Sequence, residues 1–125
     1  MRSLLRIVTG LLFMQHGAQK LFAVLGRDTA VETFSLLWYA GVLEFWGGLF
    51  VVFGLLSRHV ALVLAAEMAV AYFLRHAPRG FFPIQNGGEP AALFGLIFLY
   101  IAARGGGAFS LDELLAARRR RRAAE

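Results

Sequence analysis

The feature that most constrains this chain is its series of long apolar runs, separated only by short polar interruptions over 125 residues. A hydrocarbon layer about 30 Å thick takes about 20 helical residues to cross, so four crossings consume most of a chain this long. The runs predict spans over about 4–25, 38–56, 60–76 and 90–103, with a basic tail over 104–125. Gly26-Arg27-Asp28-Thr29 closes the first run, because a membrane interior does not accommodate such a turn unpaired. Ala30 to Leu37 is half polar and predicts a short interfacial helix ahead of Trp38 and Tyr39, aromatics that settle at headgroup depth. The Ser57-Arg58-His59 turn is so short that the second and third spans must form an antiparallel hairpin. Pro78 to Gly88 reads as a loop, followed by Pro90 as a first-turn proline with Glu89 as the cap. The fourth helix, at about 21 Å, falls short of the membrane thickness, which implies a recess at its outer end. Ser110-x-x-Glu113 reads as a capping box for a short amphipathic helix over Leu111 to Ala117, ahead of five consecutive arginines. The expectation is an all-α integral membrane four-helix bundle forming one domain, without internal repeat.

The positions of the basic residues set the orientation. Arg2, Arg6, Arg58, Arg104 and Arg118 to Arg122 fall on the side shared by the termini and the central turn; Arg27 and Arg79 fall on the other, with Lys20 and Arg75 near its edge. That asymmetry places both termini in the cytoplasm and the chain in the cell membrane. It also accounts for the net charge of +5 without nucleic acid, since basic and aromatic residues do not interleave on a soluble surface. The first run lacks an Ala-x-Ala-like site, so it is expected to remain as a span. The absence of cysteine excludes thiolate catalysis, disulfide exchange and iron–sulfur ligation by this chain.

Ionisable groups within spans are costly and ask for a partner, a cavity or a task. Gln15, His16, Gln19 and Lys20 fall within an arc of about 140° on the first helix, giving it one polar face in its outer half. Counted at 1.5 Å per residue, Lys20, His16 and Glu44 lie roughly 8, 14 and 10 Å below the outer surface, so the three can meet. Gly41, Gly47, Gly48 and Gly54 permit the close helix approach this needs. His76, Asn86 and Glu89 lie at the same rim. A buried Lys20–Glu44 pair that only fixes helix packing is the plainer reading; convergence of several segments at one depth points to a pocket instead. Glu67 stands apart, about 10 Å from the cytoplasmic end, as a proton relay or a neutral hydrogen-bonded acid. Ala61, Ala65 and Ala69 form a stripe that suits close contact within or between protomers, leaving a homo-oligomer open.

Metal ligation by His16, Glu44, His76 and Glu89 is disfavoured by the absence of a Glu-x-x-His pair and by the repulsion from Lys20. Haem between His16 and His76 suffers from their different depths. A quinone suits the polar face better: its ring partitions into apolar surroundings, its carbonyls accept bonds from Lys and His, and its reduction requires protons. Phe13, Phe22, Phe45 and Trp46 are candidate wall residues, with ordinary core or lipid contact the plainer role for each.

His16-Gly-Ala-Gln-Lys20-Leu-Phe resembles the His-Gly-x-Gln-Lys-Leu-Phe motif of the DoxX family. Leu43-Glu-Phe-Trp-Gly-Gly-Leu with Gly54-Leu-Leu-Ser-Arg58 is similar to that family's second-span motif. So are the stretch from His76 to Pro83, Asn86-Gly-Gly-Glu89 with Leu93-Phe94, and Gly105-Gly-Gly-Ala-Phe-Ser110-Leu-Asp112. The chain departs in having Gly106-Gly107 where a Gly-Pro-Gly turn is common. The resemblance implies a four-span bundle associated with quinone-linked membrane oxidoreductases, and its polar positions map to His16, Gln19, Lys20, Glu44, Asn86 and Glu89.

The functional expectation is a quinone-interacting oxidoreductase component. His16, Lys20 and Glu44 carry the chemistry, and Gln15, Gln19, His76, Asn86 and Glu89 contact the substrate. The alternative is a non-catalytic subunit or scaffold that recruits a soluble oxidoreductase. A small-molecule or ion carrier ranks third, because the halves lack the symmetry many transporters show.

Overall fold

Six helices and no strand make up the computed structural model, which describes residues 1–125. α1 covers Arg2–Phe22, α2 Leu36–Phe53, α3 Ser57–Arg79, α4 Pro83–Asn86, α5 Glu89–Arg104 and α6 Leu111–Ala124. Two of these rods widen locally: α2 takes a π-helical turn over Leu43–Gly47, and α3 takes another over Tyr72–His76 before a 3₁₀ turn over Ala77–Arg79.

The helix ends differ from the sequence expectation where backbone turns intervene. α1 stops at Phe22 because Ala23 adopts a left-handed conformation, and Val31 N–H then donates to the Lys20 carbonyl at 2.8 Å. The connection therefore folds back over the end of α1. No interfacial helix forms over Ala30 to Leu37; Ser35 instead caps α2, its Oγ accepting from Trp38 N–H at 3.2 Å. α5 begins after Gly88, which takes the cap position expected of Glu89, and Glu89 lies in the first turn where a carboxylate complements the helix dipole. Half of the capping box forms at α6: Ser110 Oγ accepts from Glu113 N–H at 3.2 Å, while the Glu113 carboxylate turns to Arg120 at 2.9 Å. α6 also continues through all five arginines to Ala124. At 100° per residue five arginines encircle a helix, so its second half is basic all round rather than amphipathic.

Two helix pairs form the body: α3 against α5, and α1 against α2. Ala61, Leu64, Ala65 and Met68 of α3 are buried with Phe98 and Ile101 of α5, and Phe13 of α1 joins them with its ring 4.8 Å from that of Phe98. Of the alanine stripe, Ala61 and Ala65 face this core while Ala69 is exposed. α1 and α2 meet through glycine. A Cβ on Gly17 would collide with the Phe45 backbone and the Gly41 carbonyl, and one on Gly10 would lie 2.9 Å from the Gly48 carbonyl. Outside these contacts the surface is apolar, with Leu11, Leu62, Phe73 and Leu96 all at least half exposed. α2 and α3 are long and apolar enough to cross a membrane, at mean hydropathies of 1.7 and 1.5.

The end of the fold carrying the termini is held by a charge. Arg6 is only 1% exposed, and its guanidinium donates to the carbonyls of Gly106 at 2.7 Å, Phe109 at 2.9 Å and Val52 at 3.3 Å. One side chain thereby ties α1 to the end of α2 and to the glycine-rich turn. Asp112 completes the junction, its two oxygens accepting from Leu56 N–H at 2.7 Å and Ser57 N–H at 2.8 Å at the start of α3. Partial burial pushes the Asp112 carboxyl up, but the Ser57 and Leu56 hydrogen bonds and the Arg6 charge outweigh it, holding the group below its ordinary value.

Candidate functional site: a cavity around Lys20 and Glu44

At the opposite end, α1, α2, α3 and α5 line a half-open cavity of about 630 Å³, and 14 of its 23 lining residues are hydrophobic. Its polar centre is an ion pair. Lys20 Nζ lies 2.5 and 2.6 Å from the two Glu44 oxygens, and Glu44 is buried at 4% exposure. The glycine contacts between α1 and α2 permit this reach: Gly17 and Gly41 bring the two backbones together about one turn from the paired side chains.

Both π-helical turns supply cavity residues. The turn in α2 carries Leu43 and Glu44, and the turn in α3 carries Leu74, Arg75 and His76. A π turn inserts a residue into the helical register, redirecting the side chains that follow, and such turns recur at functional sites. His16 stands on the wall with its ring edge-on to Phe94 at 5.7 Å. His76 Nδ1 lies 3.1 Å from the Asn86 carbonyl, which fixes that ring against the end of α4.

Four of the expected residues, His16, Lys20, Glu44 and His76, thus line one cavity. The other four do not. Gln15 is exposed away from it, and Gln19 donates to the Leu25 carbonyl at 2.8 Å, closing the loop after α1. Asn86 is buried as a loop organiser: its amide donates to the Gly80 carbonyl at 2.9 Å and Tyr72 Oη at 3.3 Å, and its Oδ1 accepts from Gly88 N–H at 2.7 Å. Glu89 is exposed beyond the wall. Among the aromatics, Phe13 lines the cavity, whereas Phe45 packs edge-on against Phe22 and against Trp46.

Glu67, which depth counting set apart, also lines this cavity, with both oxygens buried and accepting no hydrogen bond. Its approach to the site depends on the α2–α3 register, which no side-chain motif announces. No three His, Asp or Glu side chains gather as a metal-ligand set.

The DoxX family profile matches residues 1–77, well over half of the chain. The chain belongs to the DoxX family. The matched region holds α1, α2 and most of α3, and so includes His16, Lys20, Glu44, Glu67 and His76. An uncharacterised protein of Haemophilus influenzae is 44% identical over 115 residues, covering 86% of this chain and 85% of its own. No solved structure matches.

Proposed function

We propose that this DoxX protein is the quinone-interacting component of a membrane oxidoreductase, crossing the cell membrane four times with both termini in the cytoplasm. The observation that carries the reading is the Lys20–Glu44 pair on the wall of a largely apolar cavity of about 630 Å³. Volumes of roughly 300–1,000 Å³ with apolar walls and a few convergent polar groups are those of small-molecule sites. A quinone ring suits such walls, Lys20 and His16 offer donors to a carbonyl, and Glu44 can exchange a proton once Lys20 turns to the ligand. The outward apolar side chains support immersion in lipid, because a water-soluble fold does not expose them on every long helix. The tail, with Arg118 to Arg122, fits the cytoplasmic surface.

Titration of purified protein with a short-chain quinone tests the site, comparing the native chain with Lys20→Ala and Glu44→Gln. Unchanged affinity and activity in both variants would remove the reading. Orientation is tested separately by placing single cysteines at Thr29 and Ala123 of this cysteine-free chain and labelling intact cells with an impermeant thiol reagent; the reagent is expected to reach only the first.

A second reading follows from the ion pair itself. Both Glu44 oxygens are engaged by Lys20, the arrangement of a packing lock in a scaffold subunit that recruits a soluble oxidoreductase. If Glu44→Gln abolishes folding in detergent and no quinone binds to the native chain, the scaffold reading prevails.

A further inference from the structure

Leu64 of α3 lies against Gly47 of α2, its Cδ2 2.8 Å from where a glycine Cβ would stand. From that contact the two helices run antiparallel. Three residues onward along α3 is Glu67, and three residues back along α2 is Glu44. One helical turn advances about 5 Å along either axis, so the two carboxyls come to the same level on the wall of one cavity. Lys20 is committed to Glu44 through both oxygens, whereas those of Glu67 are buried without any donor. His16 of α1 shares the cavity, as do His76, Arg75 and Arg79 at the far end of α3. Arg75 and Arg79 lie two and three turns beyond Glu67 on the helix, which leaves Lys20 as the cation at the level of the two carboxyls.

Two carboxyls against one ammonium leave a surplus negative charge unless one carboxyl holds a proton. A buried carboxyl without partners is the one that keeps it, because low dielectric disfavours the uncompensated ion. We propose that Glu67 is the proton reservoir of this cavity, holding a proton as the neutral acid and releasing it by way of Glu44 to an oxygen of the bound ligand. This rests on the quinone reading for the ligand and on the α2–α3 register for the residue. When a two-electron reductant reduces the quinone, two protons must be added. The Glu67 O–H bond breaks and a ligand O–H bond forms, leaving Glu67 as carboxylate; the second proton and the one that reloads Glu67 come from water at the cavity mouth. Engagement of Lys20 by a ligand carbonyl times the transfer, since it strips Glu44 of its partner and makes that carboxylate a better acceptor.

Infrared difference spectroscopy tests this on the full chain in detergent, with a short-chain ubiquinone as ligand and dithionite as reductant. The native protein is expected to show the carbonyl stretch of a protonated carboxylic acid near neutral pH, moved by ¹³C-labelled glutamate. Glu67→Gln is expected to lose it, and Glu67→Asp to keep an acid band that the label no longer moves. Glu67→Gln is also expected to bind quinone with native affinity while the reduction step slows by roughly a hundredfold, the scale of a lost proton donor, and Glu67→Asp to restore part of the rate. No acid band in the native chain, or a label-sensitive band that persists in either variant, overturns the reservoir. An unchanged rate in Glu67→Gln overturns the transfer. Failure of the native chain to bind quinone removes the ligand reading and the transfer to it, while the assignment of the acid band to Glu67 is still decided by the label. If Glu67→Gln does not fold, the label response of the native and Glu67→Asp proteins still decides the assignment.

Discussion

Replacing Arg6 with Met tests whether one buried cation holds the end of the fold carrying the termini. The side chain keeps its apolar stem but loses every donor. Two of the lost bonds, to Gly106 and Phe109, are short at 2.7 and 2.9 Å, and the third, to Val52, is long at 3.3 Å. Hydrogen bonds from a charged donor contribute about 1.5–3 kcal/mol each at good geometry and less at a long distance. The loss is offset in part because the buried charge itself no longer has to be desolvated. The expected cost is therefore about 3–4 kcal/mol. Arg6→Lys keeps a charge but has no planar fork to span three carbonyls, and should lose roughly half as much. The assay is unfolding in detergent micelles, paired with hydrogen exchange across 105–112, where protection should fall first. Arg2→Met is the control: Arg2 is exposed on the same helix and bonds one carbonyl, that of Arg104, so its loss should stay within about 0.5 kcal/mol. A loss below about 1 kcal/mol in Arg6→Met, with unchanged exchange over the turn, would refute the reasoning.

Gly17→Ala should force α1 and α2 apart at the Phe45 backbone, costing about 1–3 kcal/mol and lowering quinone affinity, whereas Gly95→Ala, where the nearest atom is Met68 Cβ at 3.4 Å, should be tolerated; parallel melts and titrations compare them. Asp112→Ala should cost about 1 kcal/mol as the lost cap of α3, read by chemical unfolding. Because the folded-state pKa of Asp112 is depressed, its contribution is full above the ordinary aspartate value of 3.8 and disappears as pH falls through the folded value; Asp112→Asn should flatten stability across that acidic window. Lys20→Met should cost about 3–5 kcal/mol by leaving Glu44 buried and unpaired, and Lys20→Met with Glu44→Gln should recover much of it in a double-mutant cycle.

Lys20 and Glu44 were legible in the sequence because a helix in an apolar run has a fixed rise, so depth can be counted and two opposite charges at one depth have reason to meet. The same counting left Glu67 apart. Its depth was taken from Val60 alone, and what brings it beside Glu44 is the seating of Leu64 on Gly47, a contact between an apolar side chain and a missing one. Arg6 was read as a topological charge because its partners are backbone carbonyls, which every residue has and no motif reports. Asn86 and Gln19 differ in the other direction. Each is a polar residue close to the rim whose hydrogen bonds are taken up by nearby backbone, so proximity in depth did not become contact with the cavity. The end of the first helix moved for a similar reason: the left-handed residue Ala23 is not glycine, and the sequence offers no cue for it.

The polar groups at the two ends of this fold differ in how far they are satisfied, and that difference separates holding from acting. Around Arg6 the guanidinium meets three carbonyls and Asp112 meets two amides, leaving only the single atoms Arg6 Nε and Ser57 Oγ buried without a partner; a network tied at so many points resists change, since moving any member exposes several buried groups at once. Around Lys20 the pairing stops one carboxyl short, beside a cavity large enough for a small ligand. An under-satisfied buried group is costly to stability and persists only where the surroundings tolerate it. It is also the group with most to gain from a proton or a hydrogen-bonding ligand. The end tied at five hydrogen bonds therefore supplies the rigidity that lets the other end carry a whole carboxyl without a partner, and exchange of a proton is expected at Glu67 rather than at Arg6.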